Sequence, residues 1–337
     1  MPSRVAIDDS AVRAVEECVR KMGIPKEAES STHAFKWARS TRELGNAYLA
    51  IVAICHQTSP IGERRLEGNV GGSGKGGWDY LKEKFLIAAG TDPSLVLPGT
   101  WASLTPVLLS ELYADASIGL TLNRVNERAL LLNDLGRRMV ERGVTFIEDE
   151  FDRCGRTFLG DRGFLATLSE TMAFSDPVRK KALFYASLVV TEAAWTASDF
   201  AALRSPVDYH ELRGHLRLGT VKVSDADLKT KVTTGLPVTP EEDVEIRHAV
   251  QRVNDEVGER TGLSSSRIHY MMWNMFRECC PRQATATHCH TCPDGCRLPP
   301  QYKSMPGYEG RCVFASVCES AGLPRKVTEP PYTGHFY

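Results

Sequence analysis

The sequence predicts a mainly α-helical protein built as two lobes around a cleft. Apolar residues recur at three- and four-residue spacing over 10–22, 42–55, 78–90, 103–115, 123–143, 163–173, 178–194, 199–204, 208–218, 240–260 and 264–279. Alternating, strand-like runs are few. A chain of 337 residues, 42% of them hydrophobic, is long enough to bury a substantial core in either one large domain or two lobes.

The first element is the amphipathic stretch IDDSAVRAVEECVRKMG, which reads as a surface helix rather than an export signal. No later run approaches the roughly 18 apolar residues a membrane span needs, so a cytoplasmic protein without membrane contact is expected. The run GNVGGSGKGGW invites comparison with a phosphate loop. Asn69 and Gly76, however, stand where that motif needs Gly and a Ser or Thr, so a loop entering a helix at Trp78 is expected. In NRVNERALLLNDLGRRMVERG, Val125, Leu130, Leu131, Leu135 and Met139 share one face, with the arginines directed to water. Beyond about 297 the chain is rich in Pro, Gly and Tyr, as expected of irregular structure ending in a loose or docked tail.

Net charge is -1, from 41 basic and 42 acidic residues, so no global positive field recruits nucleic acid and any such contact must be local. Of ten cysteines, Cys18, Cys55 and Cys154 are scattered, whereas Cys279, Cys280, Cys289, Cys292, Cys296, Cys312 and Cys318 crowd one segment. Clustered thiols in a reducing compartment indicate a metal site, iron-sulfur or zinc, and His288 and His290 beside them keep zinc open. The expected organisation is a helical domain over 1–278, with lobes at about 40–150 and 151–278, a cysteine-rich metal segment at 279–320 and a tail at 321–337.

Two segments stand out for their chemistry. In P-V-D-Y-H-E-L-R-G-H-L-R-L-G the proline ends one element and Asp208 can cap the next helix. Upstream, D-P-V-R-K-K-A-L-F-Y-A starts a helix with Lys180 and Lys181 in its first turn, where they oppose the helix dipole and call for an acidic neighbour or a function. V-R-K-K-A followed by V-D-Y-H-E-L-R-G-H-L-R-L-G resembles the helix-hairpin-helix DNA glycosylases of the endonuclease III type. The resemblance implies their two-lobed helical fold, with Lys180 at the lysine position, Asp208 at the catalytic aspartate, and His210 and Arg213 supporting that helix. The run R-I-H-Y-M-M-W-N-M-F-R-E-C-C followed by C-H-T-C is similar to the same family's last helix and four-cysteine cluster loop. It implies a structural [4Fe-4S] cluster on Cys280, Cys289, Cys292 and Cys318, with Cys296 and Cys312 as alternates and structural zinc as the alternative metal.

A second resemblance spans about residues 40–280. G-G-W-D-Y-L, V-N-E-R-A-L-L-L-N-D-L-G-R-R-M, R-K-K-A, V-D-Y-H-E-L-R and D-V-E-I-R-H-A-V occur in the order found in the queuosine salvage N-glycosylases. That family implies release of a 7-deazaguanine base from its nucleoside or nucleotide. Where it carries an aromatic-rich N-F-x-x-W-like stretch, this chain has A-I-C-H-Q-T, and the family generally lacks the cysteine-rich tail.

Cleaving an N-glycosidic bond builds positive charge on the sugar, which a fixed carboxylate such as Asp208 stabilises while it orients water. Lys180 is either an imine-forming amine or a cation for phosphate or base. Trp78 is placed to stack on the base, and His56, Gln57 and His210 to meet its polar edges. Arg247 is expected in a structural ion pair with Glu245. The expected substrate is a modified nucleoside or nucleotide. The alternatives are a base in DNA and an inactive binding module. DNA enzymes of this superfamily hold phosphate on a glycine hairpin just before the lysine helix, whereas here that position reads A-F-S-D-P-V-R, with Asp176 adding negative charge.

Overall fold

The computed structural model describes residues 3–25, 40–284, 289–290, 296–323 and 326–337 and is mostly helical. The chain divides into two compact units: Met1–Ala28 with Arg204–Gly334, and Glu29–Leu203 with His335–Tyr337. The division therefore falls at Leu203/Arg204 rather than near 150. The amino-terminal helix and the cysteine-rich segment both join the unit that carries Asp208, because their apolar side chains share its core. Among the described residues, no helix is long and apolar enough to cross a membrane.

In the first unit, helix Asp9–Met22 starts at Asp8, whose carboxylate accepts from the Ser10 and Ala11 amides, and stops at left-handed Gly23. Its stripe Val12, Val15, Val19 and Met22 packs on helix Pro240–Thr261, which presents Ile246, Val250, Val253 and Val257. A short antiparallel pair, Val5–Ile7 with Val221–Val223, ties this amino-terminal segment beside helix Tyr209–Leu218. The sequence showed neither strand, because three residues are too few for a period. Helix Tyr209–Leu218 lies against both Pro240–Thr261 and Ser265–Glu278. Gly214 permits the second contact: a Cβ there would stand 2.3 Å from the Phe276 ring.

In the second unit the organising element is helix Thr41–Ala53, entered through a Ser40–Glu43 capping box and buried from Leu44 to Ala53. Helices Trp78–Thr91, Val125–Glu141, Ile147–Arg153 and Lys180–Thr191 surround it. Its one buried amide is fully used: Asn46 Nδ2 donates to Val96 O and Thr145 O, each at 2.8 Å, and Oδ1 accepts from Ile147 N at 2.8 Å. Phe151, Phe158, Phe164, Tyr185 and Trp195 form an aromatic cluster alongside.

Several local expectations need correction. The glycine run forms an antiparallel hairpin, Glu67–Val70 with Ser73–Gly76, turning at left-handed Gly71 and Gly72. Helices Ile147–Arg153 and Ala226–Thr234 were not foreseen, and 199–204 is only a 3-10 turn, Phe200–Ala202. On helix Val125–Glu141 the buried stripe is Leu131, Leu132, Leu135 and Met139, while Leu130 is exposed. Arg128, expected in water, is wholly buried. Helix Thr41–Ala53 ends against it, and it meets the open main-chain carbonyls there.

Candidate functional site

The site residues fall in both units, Asp208 and His210 in the first, Lys180, Trp78, His56 and Gln57 in the second.

Asp208 is the N-cap of helix Tyr209–Leu218. Its Oδ1 accepts from His210 N at 2.7 Å and Glu211 N at 3.3 Å, and Glu211 Oε2 returns a bond from Asp208 N at 3.1 Å. Among the described residues Oδ2 receives no bond, and the residue is 7% exposed. The capping box rests on a buried polar network. Glu211 Oε2 also lies 3.0 Å from His269 Nδ1, and Oε1 accepts from Asn254 Nδ2 at 2.8 Å. Asn254 Oδ1 is 2.9 Å from His215 Nε2, whose Nδ1 is 2.9 Å from the Thr220 hydroxyl. Burial raises the Glu211 carboxyl above its usual range and pushes His215 down to about 4, so His215 is neutral. The Asp208 carboxylate is thereby fixed on a rigid element.

The same helix reaches the cysteine segment from its other side. Arg213 donates from Nε to Cys280 O at 2.7 Å and from Nη1 to Glu329 at 2.8 Å, with His210 Nδ1 2.7 Å from Nη2. His210, half-buried between the Tyr209 and Trp273 rings, is thus held by Arg213. One turn on, Arg217 Nη1 donates to Cys280 Sγ at 3.1 Å and Pro281 O at 2.8 Å, and Nη2 to Arg282 O at 2.9 Å. The expected partnership of Arg247 with Glu245 is not formed. Arg247 pairs with Asp243 at 2.8 Å, one helical turn away and fully buried, while Glu245 faces Arg4.

The thiols of Cys280, Cys289, Cys312 and Cys318 share one neighbourhood. Cys312 and Cys318 pack against buried Cys289, and burial together with the nearby Cys280 and Cys289 pushes the Cys318 thiol up to about 11. The Cys312 thiol is raised by burial and by Cys279, Cys280 and Cys289. All the described cysteines are unbridged. Cys292 and His288 lie outside the described residues. Among the described residues no three His, Cys, Asp or Glu side chains are close enough to hold a single metal ion. Cys296 packs at the edge of the main core.

In the second unit, Lys180 opens helix Lys180–Thr191 behind left-handed Arg179. Its acidic neighbour is Asp176, which is buried and accepts from the main-chain amides of Val178 at 3.1 Å and Lys180 at 2.8 Å. The Lys180 ammonium lies 3.7 Å from Cys55 Sγ and 5.2 Å from the centre of the Phe184 ring. Half-buried Trp78 meets that ring edge-on at 4.8 Å. Lys181, absent from the expected site, is the deeper of the two lysines. It donates to Ala53 O at 2.6 Å, stands 3.4 Å from His56 Nδ1, and is pushed by burial down to about 7. His56 is wholly buried, and burial followed by the charges of Lys181 and Arg128 drives its imidazole well below its usual value. Its Nε2 stands 2.9 Å from Glu127 Oε1. Gln57 adopts a left-handed backbone with φ 49, and its main-chain and side-chain N–H groups both reach Tyr337 O at 3.3 Å.

Left-handed non-glycine residues thus adjoin three parts of this neighbourhood, Gln57 beside His56, Arg179 beside Lys180 and Arg124 at the start of the Glu127 helix. Such backbone persists only where the surroundings over-determine it, and it concentrates at functional sites. The chain matches no protein-family model and no curated protein.

Proposed function

We propose that this protein is an N-glycosylase that hydrolyses the base–sugar bond of a modified purine nucleoside or nucleotide of the 7-deazaguanine type. The observation that carries the reading is the Asp208 carboxylate, with Oδ1 spent on two helix-start amides, Oδ2 open and the whole group braced by a buried Glu211 network. As the bond from base nitrogen to sugar carbon breaks, its electron pair leaves with the base and cationic charge grows on the sugar. A preorganised carboxylate stabilises that charge, by about 3 kcal/mol on the scale of single electrostatic groups, and accepts a proton from the water that adds to the sugar carbon. Lys180 is the second catalytic candidate, as an imine-forming amine or as a cation for phosphate or base, and Trp78 offers a face for stacking.

Asp176 supports the monomeric substrate. Main-chain amides at a helix start form a natural phosphate site, and here an internal carboxylate occupies those of Val178 and Lys180. The cysteine segment favours the second reading, a DNA base glycosylase or DNA-modifying relative with a [4Fe-4S] cluster. Its thiols share a neighbourhood, yet among the described residues no three candidate ligands are close enough to hold one metal ion, so the described donor set does not fit a cluster or zinc. The ligands that the resemblance implies are Cys280, Cys289, Cys292 and Cys318, with Cys296 and Cys312 as alternates and zinc as the alternative metal, and Cys292 lies outside the described residues. A site with four protein ligands would be closed and its contribution structural.

The test is mass-spectrometric detection of free base after anaerobic incubation with modified nucleosides, their 5′-monophosphates and modified duplex DNA. Asp208→Asn is the control, since asparagine caps a helix as well as aspartate does but carries no charge. Release from monomers that Asp208→Asn abolishes, with circular dichroism unchanged, is expected. Undiminished release by the variant overturns the mechanism, and release from DNA alone selects the second reading.

A further inference from the structure

Cys55 and Lys180 stand 125 positions apart in sequence and meet inside the second unit, each 8% exposed. Among the described residues the Lys180 ammonium forms no ion pair and reaches no oxygen acceptor. Its polar contact is the Cys55 sulfur at 3.7 Å, and the centre of the Phe184 ring lies 5.2 Å away. Taking an ammonium out of water without a carboxylate is costly, so its placement against a sulfur calls for a reason. Two further basic side chains converge on the same atom. Burial lowers both Lys181 and Arg128, and the Cys55 sulfur is the next influence on each, favouring their charged forms. Basic neighbours of this kind are what separates a reactive thiol from an inert buried one.

We infer that Cys55 and Lys180 form a redox cross-link site, joined by a sulfur–nitrogen bond when a peroxide oxidises the thiol. In the first step the sulfur attacks one peroxide oxygen, the oxygen–oxygen bond breaks and water leaves, which gives a sulfenic acid at Cys55. In the second the Lys180 amine, having released its extra proton, attacks that sulfur. The sulfur–oxygen bond breaks, and the hydroxyl departs as water with a proton from the nitrogen. Sulfur loses two electrons, the peroxide takes them up, and the product has two hydrogens fewer than the thiol and amine together. The flexible stem of the lysine closes the gap. A thiol reductant reopens the bond, so the amine is withdrawn and restored reversibly. The cross-link stands apart from the glycosylase reading; that it stops base release rests on that reading, with Lys180 as a reacting group.

The experiment treats the full chain, reduced and then freed of thiol, with hydrogen peroxide, digests it without reductant and maps the peptides by mass spectrometry, alongside Cys55→Ser and Lys180→Arg. The wild type is expected to yield a peptide pair joining Cys55 to Lys180, lighter than its parts by two hydrogens and separated again by dithiothreitol. Cys55→Ser gives no linked pair. In Lys180→Arg, whose guanidinium keeps the charge but is a poor nucleophile, Cys55 proceeds to sulfinic acid. Cys154, half-buried where Cys55 is buried, is the internal reference for accessibility alone. Oxidation of Cys154 with Cys55 still a free thiol overturns the inference, as does a wild type whose Cys55 is oxidised without a link to Lys180. The readout is a peptide mass rather than turnover, so a protein that releases no base can still carry the cross-link, and a missing cross-link leaves the proposed function intact.

Discussion

His215 shows how burial decides the behaviour of a single residue. It lies wholly inside the first unit, between Thr220 and Asn254, and burial pushes its imidazole from 6.5 down to about 4. Between these two values the unfolded chain binds a proton that the folded chain refuses. The stability His215 permits is therefore complete above pH 6.5 and is lost as pH falls toward 4, by about 3 kcal/mol at roughly 1.36 kcal/mol per pH unit. A urea midpoint followed from pH 7 to 4 should fall accordingly. His215→Gln, which offers hydrogen-bonding groups but does not titrate, should fall less steeply, and an identical slope in that variant would assign the acid sensitivity to other groups. Asp208, Glu211 and His269 belong to the same network, and a sequence pattern exposes only its first step, the D-x-x-E capping box. The link from Glu211 to His269 spans 58 positions and has no local signature.

Helices in this protein are defined by their ends and by the faces they bury. Helix Tyr209–Leu218 carries Asp208 at its N-cap, Gly214 at its contact with helix Ser265–Glu278, and Arg213 and Arg217 toward the cysteine segment. Gly214→Val would place branched carbons where a Cβ alone meets the Phe276 ring at 2.3 Å. Overpacking of this kind costs about 1–3 kcal/mol, so the variant should unfold at lower denaturant concentration. Unchanged stability would mean that the two helices separate without cost. In the second unit the carboxyl end of helix Thr41–Ala53 is the instructive element. Lys181 takes Ala53 O, and Arg128 takes Ile54 O and His56 O, so two buried basic side chains stand at the negative end of the helix dipole. The pattern around Arg128 reads as solvated charge because periodicity ranks residues by type and contains no term for an open carbonyl on another helix.

At the scale of the whole chain, each unit gathers segments remote in sequence. The first joins residues from both sides of the second, and its tail is anchored by Glu329, which pairs with Arg213 at 2.8 Å where both side chains are almost fully buried. Removing one partner of such a pair leaves the other charge without compensation. Glu329→Gln should therefore destabilise the first unit by about 3 kcal/mol or more, read as a lowered melting temperature in calorimetry. Wild-type melting would show that the remaining acceptors of Arg213 suffice. The tail that composition left as loose or docked is docked: residues up to Gly334 belong to the first unit, and His335–Tyr337 to the second, where His335 Nε2 lies 2.9 Å from Met172 O.

Sequence alone determined the helical class, most helix positions, the Asp208 cap, the acidic neighbour of the Lys180 helix and the concentration of thiols, because each depends on residues within a turn or two of one another. Tertiary structure alone decided the division at Leu203/Arg204, the strand pair closed across more than two hundred positions, and the burial of Arg128, Lys181, Arg217 and Lys326. The physical reason is the same in each case. A buried charge or an isolated strand is tolerable only through a partner that the fold brings from elsewhere, and the identity of that partner is a property of packing rather than of local order.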